Sequence, residues 1–123
     1  MSRAVSSGRT LISASNYAAS LVNLGRFEEA KALLRKMMPL AQRVLGEGHR
    51  LTLRMKKIYA RALYNDDDAT LDDLRKAVMT LEDTARTARR VLGAAHPLTV
   101  DMEKSLQAAR AALRARETPS ARF

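Results

Sequence analysis

The sequence predicts an all-α fold of tandem helix–turn–helix repeats, about two and a half repeats in five helices. Apolar residues recur at alternating spacings of three and four, which is typical of amphipathic helices. The segment VLGEGHRLTL at 44–53 returns as VLGAAHPLTV at 91–100, and such internal similarity indicates a repeat architecture. Hydrophobic residues make up 46% of the 123 residues but aromatic residues only 4%. This alanine- and leucine-rich composition favours helix packing over a β-sandwich.

The similarity between the two copies extends over a whole unit. The repeated segment is offset by 47 residues (91 minus 44), whereas residues 16–21 match residues 58–63 at an offset of 42 (58 minus 16). We attribute the difference of five to a longer loop at 65–69 in the second unit. A third, partial unit starts at Thr99. The positions that recur are Val44/Val91, Leu45/Leu92, Gly46/Gly93, His49/His96, Leu51/Leu98 and Thr52/Thr99.

Turn and capping residues set the limits of the five helices. Gly25 supplies the left-handed position that ends the first helix, and Gly46 and Gly93 end the second and fourth. Thr70 with Asp73 forms a capping box. Pro97 suits a first helical residue, whereas Pro39 lies inside the second helix and predicts a kink. The predicted ranges are roughly 10–24, 27–45, 51–64, 71–92 and 97–115. We expect an N-terminal extension at 1–9, a repeat domain at 10–116 and a disordered tail at 117–123.

The pattern N-Y-A-x-S-L-x-x-L-G-R-F-E-E-A, followed by V-L-G-x-x-H-x-x-T, resembles the kinesin-light-chain type of tetratricopeptide (TPR) repeat. The resemblance covers about residues 10–113. It implies an α-solenoid in which each repeat is an antiparallel pair of helices, A and B, and it implies a protein–protein interaction scaffold. Small residues at Ala18, Ala30, Ala60 and Ala77 would let the helices approach closely. The third unit departs from the pattern with Gln107 and lacks a B helix.

The partner is expected to be acidic, because the net charge is +9. If the A helices line a concave groove, as the resemblance implies, Arg54, Lys57 and Arg61 form one cationic stripe on it. An acidic peptide would bind this stripe, with Asn16 bonding its backbone; otherwise the stripe is a solvated face or is neutralised by acids elsewhere in the fold. The candidate partner-binding residues are Asn16, Asn23, Arg54, Lys57, Arg61 and Lys104, in a groove that also includes Ile12, Ser15, Ala19, Ile58, Tyr64, Met102 and Ser105.

Two other functions are compatible with the sequence. A basic adaptor could bind RNA or another polyanion through the arginines at 86, 89, 90, 110, 114 and 116. Stacking aromatics are not expected there, because Tyr17, Phe27 and Tyr59 fit core positions. Alternatively, the chain is a structural subunit that self-associates through its unpaired C-terminal helix, where alanines at 108, 109, 111 and 112 permit close approach.

Catalytic and metal-binding functions are not predicted. The absence of cysteine excludes disulfides and thiolate chemistry, and we find no nucleophile with a base and an orienting group. His49 and His96 occupy equivalent loops, which favours loop ordering over metal binding. Asp66, Asp67 and Asp68 fail the EF-hand pattern. The sequence therefore predicts a protein that is not an enzyme and has no cofactor.

The expected location is cytoplasmic, since no apolar stretch approaches the length of a membrane span. The first acidic residue is Glu28, and the arginines and serines before it resemble an organelle transit peptide. We prefer a first repeat helix, because Tyr17, Ala18 and Leu21 fit the repeat.

Overall fold

The computed structural model describes residues 3–118, and within that range it contains five α-helices and no strand. The predicted all-α repeat fold is confirmed. The first helix begins earlier than the predicted Thr10, and the last ends at Glu117. Residues 1, 2 and 119–123, which belong to the predicted extension and tail, lie outside the described residues. The helices are α1 (Arg3–Asn23), α2 (Phe27–Leu45), α3 (Arg50–Tyr64), α4 (Leu71–Leu92) and α5 (Pro97–Glu117).

Glycines end three of the helices, as predicted. After α1, Gly25 has a φ of 77°, and the Arg26 N–H donates to the Leu21 carbonyl oxygen at 2.8 Å. This is the bond that closes a Schellman motif, which satisfies a carbonyl at the helix end. Gly46 and Gly93 end α2 and α4 with φ values of 95° and 97°, a conformation that costs glycine less than other residues.

The two histidines begin the A helices of the second and third units. The Nδ1 atom of His49 accepts a hydrogen bond from the Leu51 N–H at 3.0 Å, and the Nδ1 atom of His96 accepts one from the Leu98 N–H at 3.1 Å. Each imidazole therefore caps a backbone donor that has no partner inside the helix. The prediction that these residues order the loops is confirmed, and the caps explain why histidine recurs in both copies.

Thr70 and Asp73 form the predicted capping box at the start of α4. The Asp73 N–H donates to Thr70 Oγ1 at 3.1 Å, and the Thr70 N–H donates to Asp73 Oδ2 at 3.0 Å. The backbone hydrogen bond from Thr70 is the main reason that the pKa of Asp73 lies below its ordinary value. The box stabilises the ionised carboxylate at the positive end of the helix dipole.

The helices pack in two layers. In the A layer, α3 packs against α1 on one side and α5 on the other. The B helices α2 and α4 pack against this layer. Ala18, Ala30, Ala60 and Ala77 are all fully buried, which confirms the predicted positions of close approach. A groove with α3 as its floor separates α2 from α4. The A helices therefore lie closer to one another than α2 and α4 do.

The proline at position 39 lies inside α2, which continues through it from Phe27 to Leu45. Proline has no N–H, so the carbonyl of Arg35 lacks the usual helical donor four residues later. Pro39 is exposed, and it borders the groove between α2 and α4.

Candidate functional site

The candidate site is one face of the A layer, which we call the A-face. On α1 the spacing of Ile12, Asn16 and Asn23 by four and seven residues puts them on one side of the helix. Asn16 and Asn23 are exposed, as predicted for binding residues. The A-face comprises the six predicted residues Asn16, Asn23, Arg54, Lys57, Arg61 and Lys104, together with Ile12 and Asp101.

A cavity of about 560 Å³ lies at one end of the A-face. Its apolar wall comes from Ile12 of α1, Leu51 of α3 and Leu98 of α5, so all three A helices contribute. Arg54 and Lys57 line the same cavity. The arrangement of an apolar wall beside convergent cations is of a size and character that suits a ligand site.

Two contacts connect the A helices across this face. Arg61 Nη2 donates to Asn23 Oδ1 at 3.3 Å, so two of the predicted residues are in direct contact. Lys57 Nζ lies 4.0 Å from Asp101 Oδ2. The predicted cationic stripe contains no acidic residue of its own. In the folded chain, Asp101 of α5 places a carboxylate beside it. Within residues 3–118, Arg54 and Lys104 make no ion pair with a carboxylate.

Lys57 is largely enclosed, with 16% of its side chain exposed. Burial is the main reason that its pKa lies below the ordinary value, and the charges of Arg61 and Arg54 lower it further. Asp101 opposes these effects. An anion that entered the cavity would raise the pKa of Lys57 and so favour its charged form.

Several predictions about which side chains face outwards were wrong. Ser15, Ile58 and Met102 were expected in the groove but are buried, because each A helix also packs against its neighbours in the layer. Tyr17 was expected in the core but is 55% exposed. This ring lines a surface cavity together with side chains of α2.

Metal and membrane sites are not evident in the described part of the chain. No group of three or more histidine, aspartate or glutamate side chains between residues 3 and 118 is arranged to hold a metal ion. Likewise, none of its helices has the length and apolar character that crossing a bilayer requires.

Residues 10–51 match the family model described as the tetratricopeptide repeat. The match covers α2 and most of α1 and ends just inside α3, so it identifies one A–B pair and the loop that follows. Repeats of this type are non-catalytic and mediate protein–protein interaction. Neither the curated proteins nor the solved structures contain a match to the chain.

Proposed function

We propose that the protein is an interaction scaffold whose A-face binds an acidic segment of a partner protein. The observation that carries the proposal is a group of three cations, Arg50, Arg54 and Lys57, which line one cavity with a single carboxylate, that of Asp101. Two further features fit this ligand: an apolar wall for an aliphatic side chain, and the exposed amide of Asn16 for the peptide backbone.

The energetic argument rests on several modest contacts. A carboxylate near Arg54 and Lys57 would form charge-assisted hydrogen bonds and reduce the repulsion between the two cations. An exposed ion pair contributes well under ~1 kcal/mol, so useful affinity requires several contacts together. Binding should weaken as salt screens the charges.

The test is the affinity of a short fluorescent peptide of glutamate, serine and leucine, measured by anisotropy. We expect the double variant Arg54→Glu and Lys104→Glu to weaken binding by about tenfold or more, since two attractions become repulsions. Lys57 is left unchanged, because its side chain is largely enclosed and its reversal would test packing as well as binding.

The matched control reverses Lys36 and Arg90 to glutamate. These exposed residues of α2 and α4 line none of the cavities described here, and their reversal changes the net charge by the same amount. Equal weakening in both double variants would show a general charge effect and contradict a site on the A-face. So would full binding by the Arg54/Lys104 variant.

We also infer the kinesin-light-chain-like type of repeat from the length of the match. Residues 10–51 span 42 residues (51 minus 10, plus 1), which is the repeat length that this type implies and is longer than the roughly 34 residues of the common repeat.

A second candidate function is the binding of RNA or another polyanion, which the net charge of +9 favours. A single-stranded oligonucleotide that competes with the peptide regardless of sequence, and that binds more strongly than the peptide itself, would favour this function.

A third candidate is a structural subunit that self-associates through α5, on which Ala108 and Ala111 are exposed. A mass by light scattering that rises with concentration would support it.

A further inference from the structure

The groove between the two B helices is a second cavity, and α3 forms its floor. Its volume is about 530 Å³, and α2, α3 and α4 all line it. We call it the B-groove and define it by Arg35, Met38, Pro39, Tyr59, Lys76 and Met79. It shares no lining residue with the cavity of the A-face.

Two cations converge on one aromatic ring at the floor of the B-groove. The Arg35 guanidinium carbon is 6.0 Å from the centre of the Tyr59 ring, and Lys76 Nζ is 5.3 Å from it. Lys76 Nζ also donates to the Tyr59 hydroxyl at 3.3 Å. The ring face attracts both cations, so α2 and α4 hold like charges close together across the groove.

Acidic side chains offset these two cations only in part, since Lys76 contributes to the lowered pKa of Asp73 on its own helix. Within the described residues, Arg35 and Lys76 make no ion pair with a carboxylate, whereas a third lysine at the groove, Lys56, pairs with Glu47 at 2.7 Å. Asp83 lines the groove but lies 3.5 Å from Arg86 Nη1, with which it pairs. The B-groove thus has an excess of positive charge.

The pKa of Tyr59 reflects the same excess of positive charge in the B-groove. Burial by itself would raise the pKa of Tyr59, but hydrogen bonding and the charges of Arg35 and Lys76 outweigh it, so the pKa lies below its ordinary value. An anion in the groove would oppose this shift.

One part of the B-groove is apolar, although polar side chains also line it. Met79 is 68% exposed although it is a large hydrophobic side chain, and Met38 and Pro39 face it from α2 as part of the same lining. Methionine side chains are unbranched and adapt their shape to a bound apolar group. Exposed apolar surface beside charged residues is characteristic of interaction sites.

We propose that the B-groove is a second docking site, which binds a partner segment carrying a carboxylate next to an aliphatic side chain. The carboxylate would lie between Arg35 and Lys76, and the aliphatic side chain would pack on Met38 and Met79. A short amphipathic helix presents such a pair on one face and binds in grooves of this kind. The site is independent of the A-face, so either can exist without the other.

The methionines provide a direct readout of which cavity is occupied. With 13C-labelled methionine methyl groups, a peptide of alternating leucine and glutamate pairs is titrated into the full chain and followed by NMR. We expect the Met38 and Met79 methyl signals to shift, while those of Met55 and Met102, which are fully buried in the core, stay in place. Signals that do not move at saturating peptide, or that move only for Met37 at the far side of α2, would overturn the proposal.

Variants then test the charged and the apolar contacts of the B-groove separately. The affinity is taken from the Met38 methyl signal, so that it reports the B-groove and not the A-face. Arg35→Glu with Lys76→Glu should weaken it by about tenfold and Met79→Lys by several-fold, whereas Lys36→Glu with Arg90→Glu should leave it unchanged. A polyglutamate peptide without leucine should bind more weakly than the leucine–glutamate peptide. Equal binding of polyglutamate, or a stronger effect of an RNA oligonucleotide on the same methyl signals, would contradict a protein segment as the ligand.

Discussion

Histidine begins two of the five helices because its Nδ1 atom reaches the backbone donor two residues later. A hydrogen bond of about 3.0 Å from the Leu51 N–H replaces the partner that this donor lacks inside α3. The adjacent Thr52 is fully buried, and its hydroxyl donates to the Ala41 carbonyl oxygen at 3.4 Å. A glycine, a histidine and a threonine at fixed spacing therefore end one helix, cap the next and link the two.

The capping role makes a prediction at His49. Replacing it with alanine should lower the free energy of unfolding by about 1 kcal/mol, the usual cost of removing a helix N-cap. His49→Asp should retain most of the stability, because a carboxylate accepts the same bond and suits the helix dipole. Urea unfolding followed by circular dichroism measures both. Equal loss in the two variants would show that the imidazole does something other than capping.

The lowered pKa of Asp73 predicts that the stability of the fold depends on pH. Its pKa is lower in the folded chain than its ordinary value of 3.8, so the ionised carboxylate stabilises the fold above that value. This stabilisation is lost as the pH falls through the folded pKa. Compared with Asp73→Asn, the parent should therefore be more stable near neutral pH, and the difference should vanish in acid. A difference that persists unchanged in acid would contradict the assignment.

At the scale of helices, local chemistry determines where an element begins and ends. The limits of α2, α3 and α4 lie within a residue or so of their predictions, because Gly46, Gly93 and Thr70 act on adjacent backbone groups. The start of α1 at Arg3 was missed. The valine, serines and glycine at 5–8 have weaker intrinsic preferences for helix than alanine or leucine.

Pro39 tests whether α2 is strained at its centre. Pro39→Ala would restore an N–H donor for the Arg35 carbonyl and should raise the free energy of unfolding, by up to about 3 kcal/mol if no other contact changes. Thermal unfolding monitored by circular dichroism measures it. A loss of stability would show instead that the proline ring makes contacts that outweigh the missing hydrogen bond.

At the scale of the whole molecule, contacts between units decide what local patterns cannot. Asp101 approaches Lys57 only because α5 packs against α3, although the two residues are 44 positions apart (101 minus 57). A signal was present, since the offset of 47 aligns Asp101 with Arg54 and so puts it on the A-face. The B-groove had no such signal, because Arg35, Tyr59 and Lys76 come from three helices and converge only in the folded array.

Two layers with different spacing give the molecule two distinct surfaces. The A layer presents cations beside an apolar cavity, and the wider spacing of α2 and α4 opens the B-groove. Charge variants on each surface should act separately, since mutations at distant sites are usually additive.

The measurement that tests the A-face most directly is an exchange of charge between protein and peptide. The acidic peptide and its counterpart with lysine in place of glutamate are each titrated against the parent and against the Arg54→Glu, Lys104→Glu variant. We predict that the parent prefers the acidic peptide, that the variant shifts its preference towards the basic one, and that the Lys36→Glu, Arg90→Glu control behaves as the parent does. A variant that keeps the preference of the parent would contradict binding at the A-face.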